Sequence, residues 1–397
     1  MNCFRIALLL MVGLLGVAVH ASVFSGQGVG LRTYQANAVV AGRAGLGAAA
    51  FDTLTPNILQ PAQFAEQSDT RAFISGFFDV RSVEDKLGNI GNQGEFRFSG
   101  FGVSTPLWKN FRFGVAANPY SVAKTRAFSN ELLGTESYRL KREVTGGITD
   151  YGAIVAMKTG KWRFGVESGL RSGSLNYSWQ ASFATSYYGP GWYTINQQHA
   201  GWYNRVGVIF APAGLRYSLT ATAPMSVTVH QDIRDSLRSD AKNSSKFTRD
   251  FPTEVRFGLA SKWKGWQIGG DYHWANWKSI DNGKLGELND EMGVGIWCER
   301  PGKNGVLDPF FQKITWRSGL SWRKLPLVDD VSETNISLGM GLPIKTLANR
   351  CDIAVGYTLR GDKSENYGLE ERVVWTSLSI TISEKWFERE IPKRRKR

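Results

Sequence analysis

The stretch LRYSLTATAPMSVTVH, residues 215–230, alternates apolar and polar side chains along almost its whole length. Such alternation is typical of a β-strand whose two faces meet different surroundings, because successive side chains of a strand point in opposite directions. The run is also much longer than the roughly 5–6 residues of an ordinary soluble strand. It therefore predicts one membrane-crossing strand, with the odd-numbered apolar residues towards lipid and the polar residues towards the interior.

The same alternation recurs from about residue 72 to residue 387, with its parity set separately in each segment. Short connections at 108–110, 159–161 and 264–265 alternate with long polar ones near 124–137, 180–201, 232–250 and 361–371, which is typical of a barrel with tight periplasmic turns and long outer loops. The segment at 138–158 is interrupted by Gly146-Gly147. The fourteen candidate strands are roughly 72–83, 95–107, 110–122, 138–158, 161–180, 201–211, 214–231, 251–263, 266–277, 287–298, 312–323, 334–343, 351–360 and 373–387.

The predicted fold class is therefore all-β, a transmembrane antiparallel β-barrel of about 14 strands over residues 71–387. A soluble β-sandwich remains open from periodicity alone, since it would bury the apolar face instead. The 14 Trp, 13 Tyr and 22 Phe favour the barrel, whose two membrane interfaces use aromatic girdles.

The amino terminus predicts export. Arg5, the apolar run at residues 6–19 and the small residues around Ala21 have the layout of a secretory signal peptide over 1–21. A membrane-anchoring helix is the alternative, but the run is short for a full span. Sec-type export followed by insertion as a multi-pass barrel places the protein in the bacterial outer membrane.

The formal net charge of +13 does not indicate a nucleic-acid partner, because the export signal argues against one and the densest cluster is only the PKRRKR run at 392–397, within a basic periplasmic tail at 388–397. The dispersed charges suit outer-membrane lipid, lipopolysaccharide phosphates or a polar lumen.

Cys298 and Cys351 fall on outward faces of strands three apart, so no disulfide is expected. The mature chain has no Cys/His metal spacing, and we predict neither metal nor cofactor.

Residues 22–70 differ from the rest of the chain. Glycines, including Gly42, Gly45 and Gly47, lie among small residues, and Gln60-Pro61-Ala62 follows. The segment alternates too weakly for a lipid-facing strand and is too apolar for a tail, so we predict a plug inside the barrel. A plug in the lumen argues against a plain aqueous porin, whose channel is open. A nucleotide-binding glycine loop is also disfavoured, because no strand–turn–helix unit with a downstream acid surrounds residues 42–47.

Three stretches resemble the FadL/TodX-type family of outer-membrane long-chain fatty acid transport proteins, which includes PorV-like relatives. These are ANAVVAGRAGLGAAAFDTLTPNILQPAQFA at 36–65, ISLGMGLPIKTLANRCDIAVGYTLRGD at 336–362 and VVWTSLSITISEKWF at 373–387. The resemblance implies a fourteen-stranded barrel with an N-terminal hatch. Gln60 stands where the family usually has Asn before Pro61-Ala62, and the preceding acidic run is reduced to Asp52.

The resemblance implies passive uptake of hydrophobic small molecules such as long-chain fatty acids. The alternative is a PorV-like barrel that serves a secretion or surface-attachment system through an envelope protein partner. A predicted outer loop near 181–202 offers aromatic side chains that would capture apolar cargo or would simply pack the loop and the girdle. These residues are Phe183, Tyr187, Tyr188, Trp192, Tyr193 and Trp202.

For the charged residues in the predicted lumen, we expect a structural role rather than catalysis or ligand binding. Arg163, Glu167 and Arg171 repeat on one inward face, where we expect a network that braces the plug; carboxylate binding by Arg163 or Arg171 is the alternative. Asp271 and His273 share another inward face, but no nucleophile is fixed beside them, so we predict no enzyme. Pro119 is expected to end or kink its strand, and the resemblance implies a lateral exit for cargo at such a place.

Overall fold

The computed structural model describes residues 22–26, 28–134, 136–183, 189–236, 243–280, 288–303, 307–344, 346–364 and 368–384. The predicted signal peptide at 1–21 and the basic tail at 388–397 lie outside the described residues. None of the helices in the described part of the chain is long and apolar enough to cross a membrane.

The described residues form one antiparallel sheet of seventeen strands and four short helical turns. The strands are β1 Leu31–Arg32, β2 Thr70–Asp85, β3 Ile90–Trp108, β4 Phe111–Leu133, β5 Glu136–Thr159, β6 Trp162–Phe183, β7 Gly191–Phe210, β8 Leu215–Thr222, β9 Met225–Asp235, β10 Asn243–Phe251, β11 Glu254–Trp263, β12 Trp266–Ala275, β13 Glu291–Arg300, β14 Thr315–Lys324, β15 Ser332–Ile344, β16 Thr346–Arg360 and β17 Leu369–Glu384. The helical turns are Val23–Gly26, Ala38–Ala41, Pro61–Glu66 and Phe310–Lys313.

The sheet closes on itself as a barrel. β17 pairs with β2, and β7 pairs with both β8 and β9, while β8 pairs with β11 and β9 with β10. β8 and β9 are thus two halves of one wall strand, and β10 and β11 are two halves of the next. The sixteen elements from β2 to β17 therefore make fourteen wall strands, and the predicted fold is confirmed.

The alternating stretch at residues 215–230 is not one continuous strand, because it is interrupted in its middle. Up to Ala223 the odd positions are exposed to lipid, as predicted, but beyond Pro224 the parity reverses and Val227 and Val229 are fully buried. The prediction of one continuous lipid-facing stripe is therefore wrong for the second half. Proline has no N–H to donate to the ladder, so the strand is interrupted there and resumes with its faces exchanged.

Four strands are longer than the sequence predicts. β4, β5, β6 and β7 contain 23, 24, 22 and 20 residues, whereas about 9–11 residues cross a membrane. The stretches predicted as loops near 124–137, 180–201 and 232–250 are therefore largely strand, as is the predicted interruption at Gly146-Gly147. A strand that projects beyond the lipid has water near both faces, so it lacks the alternation that reveals a membrane-crossing strand.

The lengths of the connections also depart from the predicted alternation. The connections from β2 to β3 and from β4 to β5 are short although they lie at the end with the long loops, and the 301–314 connection is long although it lies at the end with the tight turns. We assign the tight-turn end to the periplasm.

The wall is apolar outside and polar inside. Outward positions such as Ile268, Ile296, Leu320, Ile336 and Val355 are exposed, whereas many inward positions carry buried arginines and carboxylates. A soluble β-sandwich has the opposite distribution, so that alternative is excluded.

Candidate functional site

The N-terminal segment, residues 22–26 and 28–69, lies inside the barrel. Its backbone N–H groups donate to inward side chains on opposite parts of the wall. The hydrogen bonds run from Ala38 to Ser379 of β17 (2.7 Å), from Ala44 to Ser337 of β15 (2.8 Å), and from Gly47 and Ala48 to Asp271 of β12 (2.8 Å each). A segment that contacts strands all round a closed barrel occupies its lumen.

The glycines of the plug motif form a backbone turn. Asn37 caps the helical turn Ala38–Ala41 by accepting from the Val40 N–H at 2.9 Å, and Gly42 donates back to the Ala38 carbonyl. Gly45 and Gly47 have φ of 84° and 112°, a left-handed conformation that favours glycine. The motif therefore turns the chain within the lumen.

Gln60-Pro61-Ala62 starts the helical turn Pro61–Glu66. The Gln60 side chain accepts from the Ala62 N–H and donates to Ser218 of β8 at 2.5 Å. Wall glycines make room for this turn: a Cβ on Gly165 would lie 2.3 Å from the Pro61 carbonyl carbon, and one on Gly207 would lie 1.9 Å from Oε1 of Gln60. Gly258 and Gly319 meet the segment in the same way. Sequence reasoning missed these contacts, although glycine at inward wall positions was the available signal.

Buried ion pairs join the segment to the wall on one side of the lumen. Arg43 of the segment binds Glu299 of β13, which also accepts from Arg317 at 2.7 Å. Arg317 in turn binds Asp352 at 2.8 Å, and Arg350 binds the same carboxylate at 2.6 Å. All five side chains are at most 6% exposed, so these pairs act at low local dielectric.

A second cluster lies across the lumen. Arg32 of the segment makes a two-pronged contact with Glu254 of β11, with both N–O distances at 2.9 Å. Arg171 binds Asp150 at 2.7 Å, and Arg205 bridges Asp150 and Glu167 at 3.3 and 2.9 Å. Because the guanidinium of Arg171 is already paired with Asp150, it is not available to bind the carboxylate of a cargo molecule.

Arg163 is likewise occupied. It binds Glu66 of the segment, as does Arg216 at 2.7 Å. Burial opposes ionisation of Glu66, but the guanidinium groups of Arg216 and Arg163 hold the pKa of its carboxyl below the ordinary value. The inward charged residues predicted on β6 thus form ion pairs: Arg163 binds the segment, whereas Glu167 and Arg171 bind neighbouring wall strands.

Where the chain is described, the segment packs closely against the wall at the middle of the lumen. Two cavities of about 40 and 30 Å³ lie between the segment and the wall, room for a few water molecules. A wider depression of about 710 Å³ opens at the periplasmic end, beside residues 51–54, Lys262, Lys264 and Arg350.

The seam between β3 and β4 is incomplete. These strands pair only between residues 101–108 and 111–117, although both continue towards the outer end. Beyond that point β1 of the N-terminal segment pairs with β4, with Leu31 opposite Val122. β4 continues to Leu133, so the predicted strand end at Pro119 is wrong; its register instead shifts between Pro119 and Ser121, an irregularity at the place where the alternative expected a kink. The segment therefore lines a part of the wall where two strands separate.

The predicted aromatic residues do not form one loop. Phe183 ends β6 and contacts Tyr138, whereas Trp192 and Tyr193 begin β7. Trp202 lies farther along β7 on the lipid-facing side, 63% exposed. Tyr187 and Tyr188 lie outside the described residues. The predicted loop boundaries at 181–202 are wrong, because polar strands beyond the lipid carry no clear alternation.

Asp271 and His273 both face inward, as predicted, but serve different contacts. Asp271 holds the segment backbone, whereas the His273 ring packs against Tyr34 with centroids 4.7 Å apart. His273 Nε2 also lies 3.6 Å from Glu291. In the described part of the chain, no disulfide joins Cys298 to Cys351.

The fold and the filled lumen define an outer-membrane β-barrel with an internal N-terminal segment. The BamG family model matches residues 2–391, and the chain belongs to this family. Among curated proteins, none is significantly similar in sequence.

Solved structures share the fold. The CymD monoaromatic hydrocarbon channel is 13% identical with a TM-score of 0.59, covering 89% of this chain and 98% of that one. A FadL homologue from Pseudomonas aeruginosa is 12% identical with a TM-score of 0.56, covering 87% and 97%. The toluene transporter TodX from P. putida is 14% identical with a TM-score of 0.53, covering 83% and 93%. The FadL/TodX resemblance is confirmed at the level of fold, and the PorV-like relationship stays a prediction.

Proposed function

We propose that this protein is a closed outer-membrane barrel that acts by binding an envelope partner, in the association with the Bam outer-membrane machinery that its family name suggests. The observation that carries this proposal is the filled lumen, in which ion pairs and hydrogen bonds hold the N-terminal segment on several sides. A barrel closed in this way has its accessible surfaces at the rims and on the lipid-facing wall.

Opening a central path would be costly. Moving the segment would separate Arg43 from Glu299, Arg32 from Glu254 and Glu66 from Arg163, and each buried charge left unpaired costs about 3–5 kcal/mol. An apolar cargo would also replace polar contacts without supplying partners for them. These energies favour a structural role for the lumen.

The periplasmic rim supports a docking role. Exposed lysines surround it, and the long 301–314 connection presents Leu307 and Phe311, which are 97% and 80% exposed. A partner with acidic and apolar side chains would match this surface. The exposed rim lysines are Lys109, Lys158, Lys161, Lys262, Lys264 and Lys303.

Site-specific photo-crosslinking in intact cells tests this proposal. A photoreactive residue at Phe311 should capture a Bam component, whereas one at Leu87, which is 88% exposed in the turn at the opposite end, should not. Mass spectrometry identifies the captured protein. Absence of Bam components from both positions, in a correctly folded barrel, would contradict the proposal.

The incomplete seam favours a second candidate function, passive uptake of hydrophobic small molecules. The similar structures include a monoaromatic hydrocarbon channel and a toluene transporter. A cargo that entered at the outer end and left between β3 and β4 would reach lipid without crossing the ion pairs of Arg43 and Glu66. The part of the segment beside β4 would have to move, and because it contains Arg32, the pair between Arg32 and Glu254 would break.

A disulfide across this contact tests the second function. Leu31→Cys with Val122→Cys places two thiols directly opposite each other in the antiparallel register of β1 and β4. If cargo leaves through the seam, oxidation should reduce uptake of a fluorescent long-chain fatty acid at least about tenfold, and reductant should restore it. The Val122→Cys single variant is the control. Equal uptake by the oxidised and reduced double variant would exclude this route.

A further inference from the structure

Arg256 differs from the other arginines at the centre of the lumen. It lies on the inward face of β11 and is 9% exposed, yet among the described residues no carboxylate forms a salt bridge with it. Its neighbours Arg32, Arg205 and Arg323 each bind carboxylates. The Nη1 atom of Arg256 is buried and has no hydrogen-bond partner.

This guanidinium borders both of the small central cavities, together with Tyr34 and His273. The larger cavity, about 40 Å³, is also lined by Thr220 and Arg32, and by Glu254, whose carboxylate is already paired with Arg32. The Thr220 hydroxyl and the Arg32 Nε are buried without a hydrogen-bond partner, so unsatisfied donors from β8, β11 and the N-terminal segment border one space. The Tyr34 ring lies 4.9 Å from the Arg256 guanidinium carbon.

A guanidinium keeps its charge at any pH that the protein meets, so burial cannot neutralise it. An unpaired buried charge is strongly unfavourable, and a counter-ion bound beside it would remove that cost. The cavity has room for a small ion or a few water molecules, and it is far too small for an acyl chain. Donor groups bordering a small space are the requirement for anion binding.

We propose that the cavity beside Arg256 binds a small monovalent anion of the size of chloride. The ion accepts hydrogen bonds from Arg256 and Thr220 on the wall and from Arg32 of the N-terminal segment. It therefore connects the segment to β8 and β11, and its binding stabilises the seated segment. This site is independent of whether the barrel binds a partner or passes a cargo.

Anomalous diffraction from crystals grown in bromide tests the site directly. Bromide should give a peak within hydrogen-bonding distance of Arg256 Nη1 in the unaltered protein, and Arg256→Gln should abolish it. Ordinary water density without an anomalous signal at this position would overturn the proposal.

Thermal unfolding in detergent gives an independent readout that does not need crystals. Replacing chloride by gluconate, which is too large for the cavity, should lower the unfolding midpoint of the unaltered protein by about 3 °C. Arg256→Gln should lose this difference. Arg249→Gln removes a partly buried arginine that also lacks a carboxylate partner in the described structure but lies nearer the outer end, so it should retain the difference.

If Arg256→Gln fails to fold, Thr220→Val removes one donor from the wall and should reduce the chloride-dependent shift by at least half. Equal midpoints of the unaltered protein in chloride and gluconate would contradict the proposal.

Discussion

Replacement of Gly165 by leucine is expected to convert the closed barrel into a conducting pore. The Cβ alone would lie 2.3 Å from the Pro61 carbonyl carbon and 2.4 Å from the Ala62 nitrogen. These are backbone atoms, which cannot rotate aside as a flexible side chain can, so the helical turn Pro61–Glu66 must leave its place. Its displacement would also withdraw Glu66 from Arg163 and Arg216.

Planar-bilayer recordings measure this effect. The unaltered protein should show almost no stepwise current, whereas Gly165→Leu should show channels with a conductance at least about tenfold above background. Cells that carry the variant should also become sensitive to large antibiotics that the outer membrane normally excludes.

Gly91→Leu is the matched control, because Gly91 also lies in a wall strand but a Cβ there meets nothing within 4 Å. It should remain closed. A closed Gly165→Leu barrel with the correct fold would show that another part of the segment is sufficient to block the lumen, and would weaken the proposed importance of this contact.

The fold was predictable from the sequence because lipid imposes a strict rule on the strands that cross it. Alternate residues must be apolar, and this rule, together with the resemblance to a fourteen-stranded family, located part of every wall strand. The rule does not apply where β4 to β7 project beyond the lipid, and a proline can reset the parity, as at Pro224. The strand boundaries and the faces beyond such points could not be deduced from alternation alone.

The contents of the lumen were only partly predictable. The composition of residues 22–70 indicated an internal segment, and the inward spacing of Arg163, Glu167 and Arg171 indicated a charge network. The identity of each partner depends on contacts far apart in the chain, such as Arg43 with Glu299, which no local pattern encodes. The prediction of one aromatic loop near 181–202 was wrong because the sequence does not show that several of these residues lie in two different strands.

Neutralising Glu299 should cause a large loss of stability, although the change is conservative. Glu299→Gln keeps the shape of the side chain but removes the charge that binds both Arg43 of the segment and Arg317 of the wall. Both guanidinium groups are about 1% exposed, so water cannot replace the carboxylate. Breaking such a buried pair costs about 3 kcal/mol, which for a chain of this length corresponds to a fall of about 4 °C in the unfolding midpoint.

The heat-modifiable shift of the barrel on gel electrophoresis measures this midpoint. Glu131→Gln removes a carboxylate from an exposed pair with Arg142, where both side chains are at least 34% exposed, and should change the midpoint by less than about 2 °C. Similar small changes in both variants would show that the Arg43–Glu299–Arg317 contact contributes little. A fall in the midpoint of Glu299→Gln alone would instead show that the contact between the N-terminal segment and the wall stabilises the folded barrel. A permanently filled lumen requires such a contact.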